Sequence, residues 1–459
     1  MSNIVLQICE KFIGEVAGFF GEGRTRNLEE IEKYLKKASD GFILEMMKAY
    51  FEILDKSLVE DKLGRKRKGI VVERKGDKRE IYTKFGGFEF ERTYFKDKKN
   101  KAYVYLLDQA VGLARHERVS RSVAVDLIGY ASETSYGKSS RYVTGGEISR
   151  QTVMNKVRYL KDLKIERPKT KRQVKVLHVE ADEDHVALQD GTNTMVPLIS
   201  IHEGIERTGK RGKCKNIHHF SDYGKSTEEL WLEAANWIYE AYDVDYIERI
   251  YLHGDGAAWI KEGLNWLPES KMVLDRYHLN RAIITATGSQ PECRKEIYLS
   301  LSGGSREQFK AIVKKMCLQA ETPNEIKRIA EFRRYVLNNW EAISIYGQEA
   351  CAGSCTEGHV SHVLSSRLSS RPMGWSRKGL KVMARLRAYC GSGGRVELRH
   401  LKKNESPYRL PKKVIEKAVR AFNSSAMEKL DNITLLNRGK VVPHFAHLKV
   451  IEAGPSLII

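Results

Sequence analysis

The stretch from residue 172 to 280 predicts an α/β fold, from the order in which its strand and helix patterns follow one another. Val174–Leu188 reads as a strand, Met195–Ile205 as its hairpin partner and Cys214–Phe220 as a third strand. Ser226–Tyr242 is an amphipathic helix with Ser226 as its candidate cap, and Ile247–Leu252 and Lys271–Leu274 follow as two further short strands. Three antiparallel strands, a helix and two more strands is the order of an RNase H-like mixed sheet. A second observation is what comes next. Beyond the fifth strand the strand signal stops, and Ser305–Ala320 and Asn324–Tyr346 carry helical periods, which predicts an α-helical insertion over residues 281–350. The third is a helical and strongly basic stretch upstream. The expected architecture is therefore an RNase H-like mixed-sheet domain with an α-helical insertion, preceded by a helical and basic DNA-binding region.

Taken in order, residues 1–60 read as helical. Leu28, Ile31, Leu35, Ala38 and Phe42 recur at spacings of three and four, as a core face or an oligomerisation seam would. Residues 61–165 form the basic region. Between Asp61 and Lys101, 15 Lys/Arg stand against 7 Asp/Glu, interleaved with β-like runs and with Tyr82, Phe85, Phe88, Phe90, Tyr94 and Phe95. Such a stretch suits either a nucleic-acid surface or a small sheet with one solvated face. Ser120 can cap a helix through Val123, Leu127, Ile128 and Ala131. After the polar stretch Ser132–Gly146, Ser149 can cap another bearing Val153, Val157 and Leu160. On that second helix Arg150, Gln151 and Asn155 face outward with donors suited to phosphates and base edges, as in a helix-turn-helix, though a plain surface helix would look the same. A basic linker, Lys161–Lys175, precedes the sheet region at 172–280. Residues 351–400 supply a closing helix and a basic segment, and 401–459 a C-terminal tail without a usable motif.

Of the 459 residues, 79 are Lys or Arg and 59 Asp or Glu, a formal charge of +20. An excess of this size draws polyanions, nucleic acid above all. No run reaches the ~18 apolar residues of a membrane span, and no basic amphipathic helix suggests a membrane surface. Seven scattered cysteines, an odd number, do not make a disulfide framework and fit a reducing cytoplasm.

Three segments carry chemistry. The first is His178-Val179-Glu180-Ala181-Asp182-Glu183-Asp184-His185, an acid-rich run inside an otherwise apolar strand. Glu180, Asp182 and Asp184 share one face, and gathered carboxylates are unfavourable unless a cation neutralises them. The second is Tyr251-Leu252-His253-Gly254-Asp255-Gly256-Ala257, an apolar strand running into an aspartate between glycines that would let a substrate approach. The third begins Cys355-Thr356-Glu357-Gly358-His359 and leads into a helix from about Ser354 that should end by Arg371, before Pro372. Arg367 and Arg371, one turn apart, would grip phosphates. From Leu364 to Asn404, 11 Lys/Arg accompany a single acid, Glu397. Cys351, Cys355 and His359 at i, i+4, i+8 would share a helix face as zinc ligands, but no second finger-type pair accompanies them.

These segments together resemble the DDE-type transposases of bacterial insertion sequences, within the mutator-like superfamily, and most of all its Lre-type insertion-sequence family. The resemblance runs from about Tyr82 through Leu386. It is carried by VEADEDHVALQ, LHGDGAAWI, LDRYHLNRAI and EGHVSHVLSSRLSSRPMGWSRKGL. It implies metal-binding catalytic acids at Asp182, Asp255 and Glu357, with Glu180 and Asp184 as rivals or second-shell neighbours of the first. The superfamily's aspartate-or-cysteine, two residues, histidine element falls at Asp275 and His278. Implied too are two Mg²⁺ or Mn²⁺ ions, cleavage and joining of DNA at terminal inverted repeats, and a homo-oligomer, dimer or higher, at the bacterial nucleoid. The basic run containing Arg367, Arg371, Arg377 and Lys378 would hold the DNA ends. Among the glutamates at 321, 325, 331, 341, 349 and 357, only Glu357 opens a helix with arginines in its later turns, and the resemblance selects it. The rival readings are a DNA-binding protein without catalysis and a structure-specific nuclease.

Overall fold

The computed structural model describes residues 4–161, 163–209, 211–348, 351, 354–401 and 410–430. Two compact units emerge, one from Met1–Ala124 with the described part of Lys403–Ile459, the other from Val125–Lys402. The basic stretch 61–165 is thus divided between them.

The first unit begins with α1 (Ile4–Gly21) and α2 (Leu28–Glu60), the latter capped by Asn27, whose side chain accepts from Glu30 N–H at 2.8 Å. Phe12 packs on Phe42 and Phe19 stacks on Tyr34, so part of the apolar stripe of α2 meets α1, while Leu28 at its start is exposed. The basic α3 (Lys62–Lys68) stops at Gly69, whose φ of 75° makes it a left-handed cap. An antiparallel sheet of β1 (Ile70–Thr83), β2 (Gly86–Asp97) and β3 (Ala102–Val104) follows, then α4 (Leu106–Ala110). Phe88, Phe90 and Phe95 are core residues here, packed with Leu54 and Leu58 of α2 and with Val414 and Ala418 of the C-terminal helix Lys412–Leu430. This basic, aromatic stretch therefore forms a small sheet in which Phe88, Phe90 and Phe95 are buried.

In the second unit α5 (Arg121–Glu133) is followed by α6 (Tyr136–Thr144) and α7 (Arg150–Arg158), the last two capped by Ser135 and Ser149. The stretch expected as a polar connector therefore holds a helix. Next come β4 (Val176–Ala187), β5 (Asn193–His202), the separate hairpin β6 (Ile205–Thr208) and β7 (Arg211–Cys214), β8 (His218–Phe220), α8 (Thr227–Ala241), β9 (Arg249–Gly254), α9 (Ala258–Lys261) and β10 (Ser270–Leu274). The central sheet has the order β10-β9-β4-β5-β8, with β4, β5 and β8 antiparallel in sequence and β9 and β10 running parallel to β4. This is a mixed α/β fold on a mixed sheet. The strands lie close to where alternation placed them, except that Cys214 closes the hairpin and the third strand shrinks to His218–Phe220.

One face of the sheet is apolar. Leu177, Val179, Ala181, Ile199, Ile201, Ile250 and Leu252 bury against Leu230, Trp231, Ala234 and Ile238 of α8, each large side chain contributing about 1.5–3 kcal/mol. A capping box between Ser226 and Glu229 starts α8. Beyond β10, α10 (Arg276–Ala286), α11 (Cys293–Ser302), α12 (Arg306–Gln319), α13 (Pro323–Asn338) and α14 (Trp340–Gln348) build a separate helical core around Ile297, Phe309, Val313, Phe332 and Val336. The chain then returns through α15 (Thr356–His359), a π-helical turn (Val360–Ser365) and α16 (Ser366–Leu368), which ends before Arg371-Pro372, and finishes this unit with α17 (Arg377–Gly391). Among the described residues no helix is long and apolar enough to cross a membrane.

Candidate active site

Strand period sorts β4 into two faces. Leu177, Val179 and Ala181 enter the apolar core, which turns His178, Glu180, Asp182 and Asp184 to the other side of the sheet. Register places Ser200 of β5 and His253 of β9 on either side of Glu180, and His202 and Tyr251 beside His178. This face is polar and nearly buried.

Asp182 is 8% exposed and its Oδ1 accepts from Glu183 N–H at 2.9 Å. Burial, together with the charges of Glu183 and Asp255, pushes its carboxyl up to about 6. Ligand atoms of Asp182, His278 and Glu357 all lie within 4.8 Å of one another, although β4, α10 and α15 are far apart in the chain. Glu357 is exposed at the start of its helix, so the group opens to solvent on that side.

Asp255 stands just past the end of β9. Its Oδ1 accepts from Ala257 N–H at 2.8 Å, forming the turn, and Tyr335 of α13 donates to its backbone oxygen at 3.0 Å. Its charge acts on both Asp182 and His278. The flanking glycines serve the protein rather than an approaching substrate. A Cβ on Gly254 would meet Ile260 at 2.7 Å and the Ala181 carbonyl at 3.0 Å, and one on Gly256, which has φ +90°, would meet Asn339 Oδ1 at 2.5 Å.

Asp275 caps α10, accepting from Tyr277 N–H and His278 N–H at 2.8 and 3.2 Å, and takes a third bond from Ser354 Oγ at 2.6 Å. Burial opposes its charge, but its bonds with His278 and Ser354 prevail and hold the carboxyl low. Its Oδ1 lies 3.4 Å from His278 Nδ1. That contact is the main reason the imidazole is held above its ordinary range; burial opposes the shift, and the charges of Asp182 and Asp255 add to it. The spacing that singled out Asp275 and His278 thus makes one residue the buttress of the other, and it is His278 that joins Asp182 and Glu357 in one close group.

The two rivals of Asp182 are committed elsewhere. Glu180, 1% exposed, accepts from His202 Nε2 at 3.2 Å, Cys355 N–H at 2.8 Å and His359 Nδ1 at 2.7 Å. Burial works against its charge, yet the His202 and His359 bonds hold it well below the usual carboxylate range. Asp184 accepts from Ser365 and Ser369 at 3.0 and 2.8 Å, while burial raises its carboxyl. Both acids hold the closing helix against β4. That helix carries a π turn, a feature often found at functional sites. Arg387 of α17 serves it by donating to Val363 O at 2.7 Å and to His362 O.

Of the expected DNA contacts, Arg150, Gln151 and Asn155 are exposed on α7, with Gln151 bonded to Asn155 at 3.3 Å. Arg158 at the end of α7 donates to Ser376 at 2.8 Å, which makes α7 a neighbour of the start of α17, where Arg377 and Lys378 are exposed. Arg377 bonds Tyr223 and Asp190, and Lys378 lies over the Tyr159 ring. Arg371 is exposed as well. Arg367 is a correction. It is 5% exposed, donates to Ala131 O at 3.0 Å and packs over Trp375 and Tyr136, so it has no face for a phosphate and cannot form a grip with Arg371. Glu349 lies outside the described residues.

The helix-face grouping of Cys351, Cys355 and His359 does not form, because both cysteines precede the first turn of α15. Cys351 lies instead with His178 and His253, its sulfur within 4.8 Å of their ring nitrogens. Sequence reading passed over these two histidines. Their signal was position: His178 shares the polar face of β4 with Asp182, and His253 lies two residues before Asp255 at the end of β9.

Comparison with known proteins adds a family. Residues 23–405 match the uncharacterised protein family UPF0236. UPF0236 proteins of Caldanaerobacter subterraneus subsp. tengcongensis are 41% identical over 458 residues, covering 98% of this chain and 97% of one relative, and 42% identical over a like span in another. A UPF0236 protein from the vanSb 3′ region of Streptococcus gallolyticus is 25% identical over 378 residues, covering 78% of this chain and 82% of its own. With a match over most of its length and relatives aligned nearly end to end, this chain belongs to the UPF0236 family.

Proposed function

We propose that this chain is a DDE-type transposase that binds the terminal inverted repeats of an insertion sequence and carries out metal-dependent strand cleavage and transfer. The observation that carries the reading is the convergence of Asp182, His278 and Glu357, whose ligand atoms lie within 4.8 Å of one another, with the charge of Asp255 acting on Asp182 and His278. The strand order β10-β9-β4-β5-β8, followed by a helical insertion and a returning helix with the last acid, supports an RNase H-like domain. The charge of +20 supports a polyanionic partner. Names of some Caldanaerobacter relatives join several numbered designations, four in one case and eleven in another; we read these as copies of one gene in one genome, as a mobile element leaves.

The residues suit divalent cations. Asp182 is held against ionisation by burial and neighbouring charge, a penalty that a bound cation removes, and carboxylate oxygens are the donors that Mg²⁺ and Mn²⁺ prefer. Asp182, Asp255 and Glu357 would hold the metal, which when bound activates water or a DNA 3′-OH and stabilises the leaving oxygen. Imidazole is a poor partner for Mg²⁺. His278, whose imidazolium form Asp275 favours, is instead placed to donate a proton or a hydrogen bond to the scissile phosphate. Glu180 and Asp184 orient the helix bearing Glu357. Outside the site, α7 would read the repeat through Gln151 and Asn155, and Arg150, Arg371, Arg377 and Lys378 would neutralise phosphates. The surface ion pair of Arg377 is weak enough to exchange.

The test is cleavage of duplexes taken from the DNA flanking this reading frame, with Mg²⁺ or Mn²⁺, by the wild type and by Asp182→Asn. The reading predicts metal-dependent nicking at a defined end, lost in the variant while DNA binding persists. Binding of the ends with no cleavage under any metal would instead establish the non-catalytic DNA-binding reading.

A further inference from the structure

We propose that His178, His253 and Cys351 form a second metal site, for a thiophilic ion of which Zn²⁺ fits best, that staples together the three segments bearing the candidate catalytic acids. His178 lies four residues before Asp182 on β4, His253 two before Asp255 on β9, and Cys351 six before Glu357. One ion held by all three would fix the mutual spacing of the acids from behind.

The geometry is that of a metal pocket. The three ligand atoms lie within 4.8 Å of one another, and His178 Nδ1 is 3.1 Å from His253 Nε2. Two nitrogens about 2.0–2.1 Å from a tetrahedral ion stand about 3.3 Å apart, so this pair needs almost no movement to share one. The rings are near parallel, with centroids 5.4 Å apart. His253 is 0% exposed and its Nδ1 is a buried polar atom without a hydrogen-bond partner among the described residues. Around the group, Tyr251, Val273 and Ile345 form an apolar wall in which Cys351 is packed. A dry pocket disfavours imidazolium, and neutral imidazole is the form that ligates.

Donor chemistry separates this site from the acidic one. Two imidazoles and a thiol select Zn²⁺ and its soft neighbours, whereas the acids select Mg²⁺ and Mn²⁺. Glu180 stands between the two on β4 and is already engaged by His202 and His359. Three protein ligands leave a fourth position for water. The site stands on its own residues and does not require that the chain cleave DNA.

The experiment measures metal in full-length protein purified without chelator, then replaces it with Co²⁺. The proposal predicts about one zinc per chain, and a Co²⁺ form with a tetrahedral visible spectrum and a thiolate charge-transfer band. Cys351→Ser should lose the band and bind at least about tenfold more weakly, while Cys214→Ser keeps both. Should Cys351→Ser fail to fold, X-ray absorption on the wild-type Co²⁺ form decides, with two nitrogens and one sulfur expected. A wild type that holds no metal after Co²⁺ titration, a shell without sulfur, or a band that survives Cys351→Ser but disappears in Cys214→Ser would overturn the proposal.

Discussion

His359 Nδ1 lies 2.7 Å from Glu180 Oε2, and this contact ties the helix that begins with Glu357 to the strand that carries Asp182. The bond is buried and charge-assisted, so it sets position more than it adds stability. Glu180→Gln keeps the shape but presents an amide N–H₂ or a neutral oxygen to His202, His359 and the Cys355 N–H. The variant should lose about 1–3 kcal/mol of stability and require more Mn²⁺ for half-maximal end cleavage. Calorimetry beside a metal titration of cleavage checks it; wild-type values in both would show that Glu180 does not position the helix.

Asp182 gives a pH signature. Its folded carboxyl sits near 6, above the value of an unfolded aspartate. The folded state therefore holds the proton more tightly, and ionisation of Asp182 opposes folding. Its contribution is fully present below the unfolded value and is lost as pH rises through about 6. In chelator, Asp182→Asn should match the wild type in Tm at about pH 4 and exceed it at about pH 7.5. Saturating Mn²⁺ should raise the wild type and leave the variant unmoved. Equal Tm values at both pH values would contradict the assigned environment.

The arginines separate structure from binding. Arg367→Ala should destabilise the fold by several kcal/mol, because it removes a buried cation from between Trp375, Tyr136 and the Ala131 carbonyl. Salt dependence of DNA binding should be unchanged in it. Neutralising the exposed Arg371, Arg377 and Lys378 should leave Tm alone and flatten the slope of log affinity against log salt by about one unit per lost phosphate contact. Changes at Gln151 or Asn155 should alter sequence preference instead. Fluorescence anisotropy at several salt concentrations distinguishes these outcomes.

Alternation and capping made much of the second unit legible. Period two exposed β4 and β5, Ser226 marked the start of α8, and an acid run inside an apolar strand pointed to the polar face. The misses have physical causes. Helix α6 is invisible to a hydrophobic pattern because it buries Ser139, Ser140 and Thr144, whose hydroxyls bond the Leu127, Ile148 and Ser140 carbonyls. Arg367 looked like a surface cation because only tertiary packing reveals the two rings beneath it. The grouping of Cys351 with His178 and His253 joins three distant segments, and no local spacing encodes it. The aromatic residues at 88, 90 and 95 fill a core, which their interleaving with lysines and arginines did not reveal.

Gly256 tests the turn that presents Asp255. At its φ of +90° an added methyl group would lie only 2.5 Å from Asn339 Oδ1. Gly256→Ala should cost roughly 1–3 kcal/mol through backbone strain and abolish cleavage by displacing Asp255, while binding of end DNA survives. Wild-type cleavage rates in this variant would free Asp255 of any precise placement.

Single-turnover cleavage of end DNA in Mn²⁺ by wild type, Glu357→Gln and Glu349→Gln reads the central assignment directly. The account predicts that Glu357→Gln loses cleavage by several orders of magnitude while folding and binding DNA normally, and that Glu349→Gln stays near wild type. Cleavage retained in Glu357→Gln and lost in Glu349→Gln would contradict the site built from Asp182, Asp255 and Glu357.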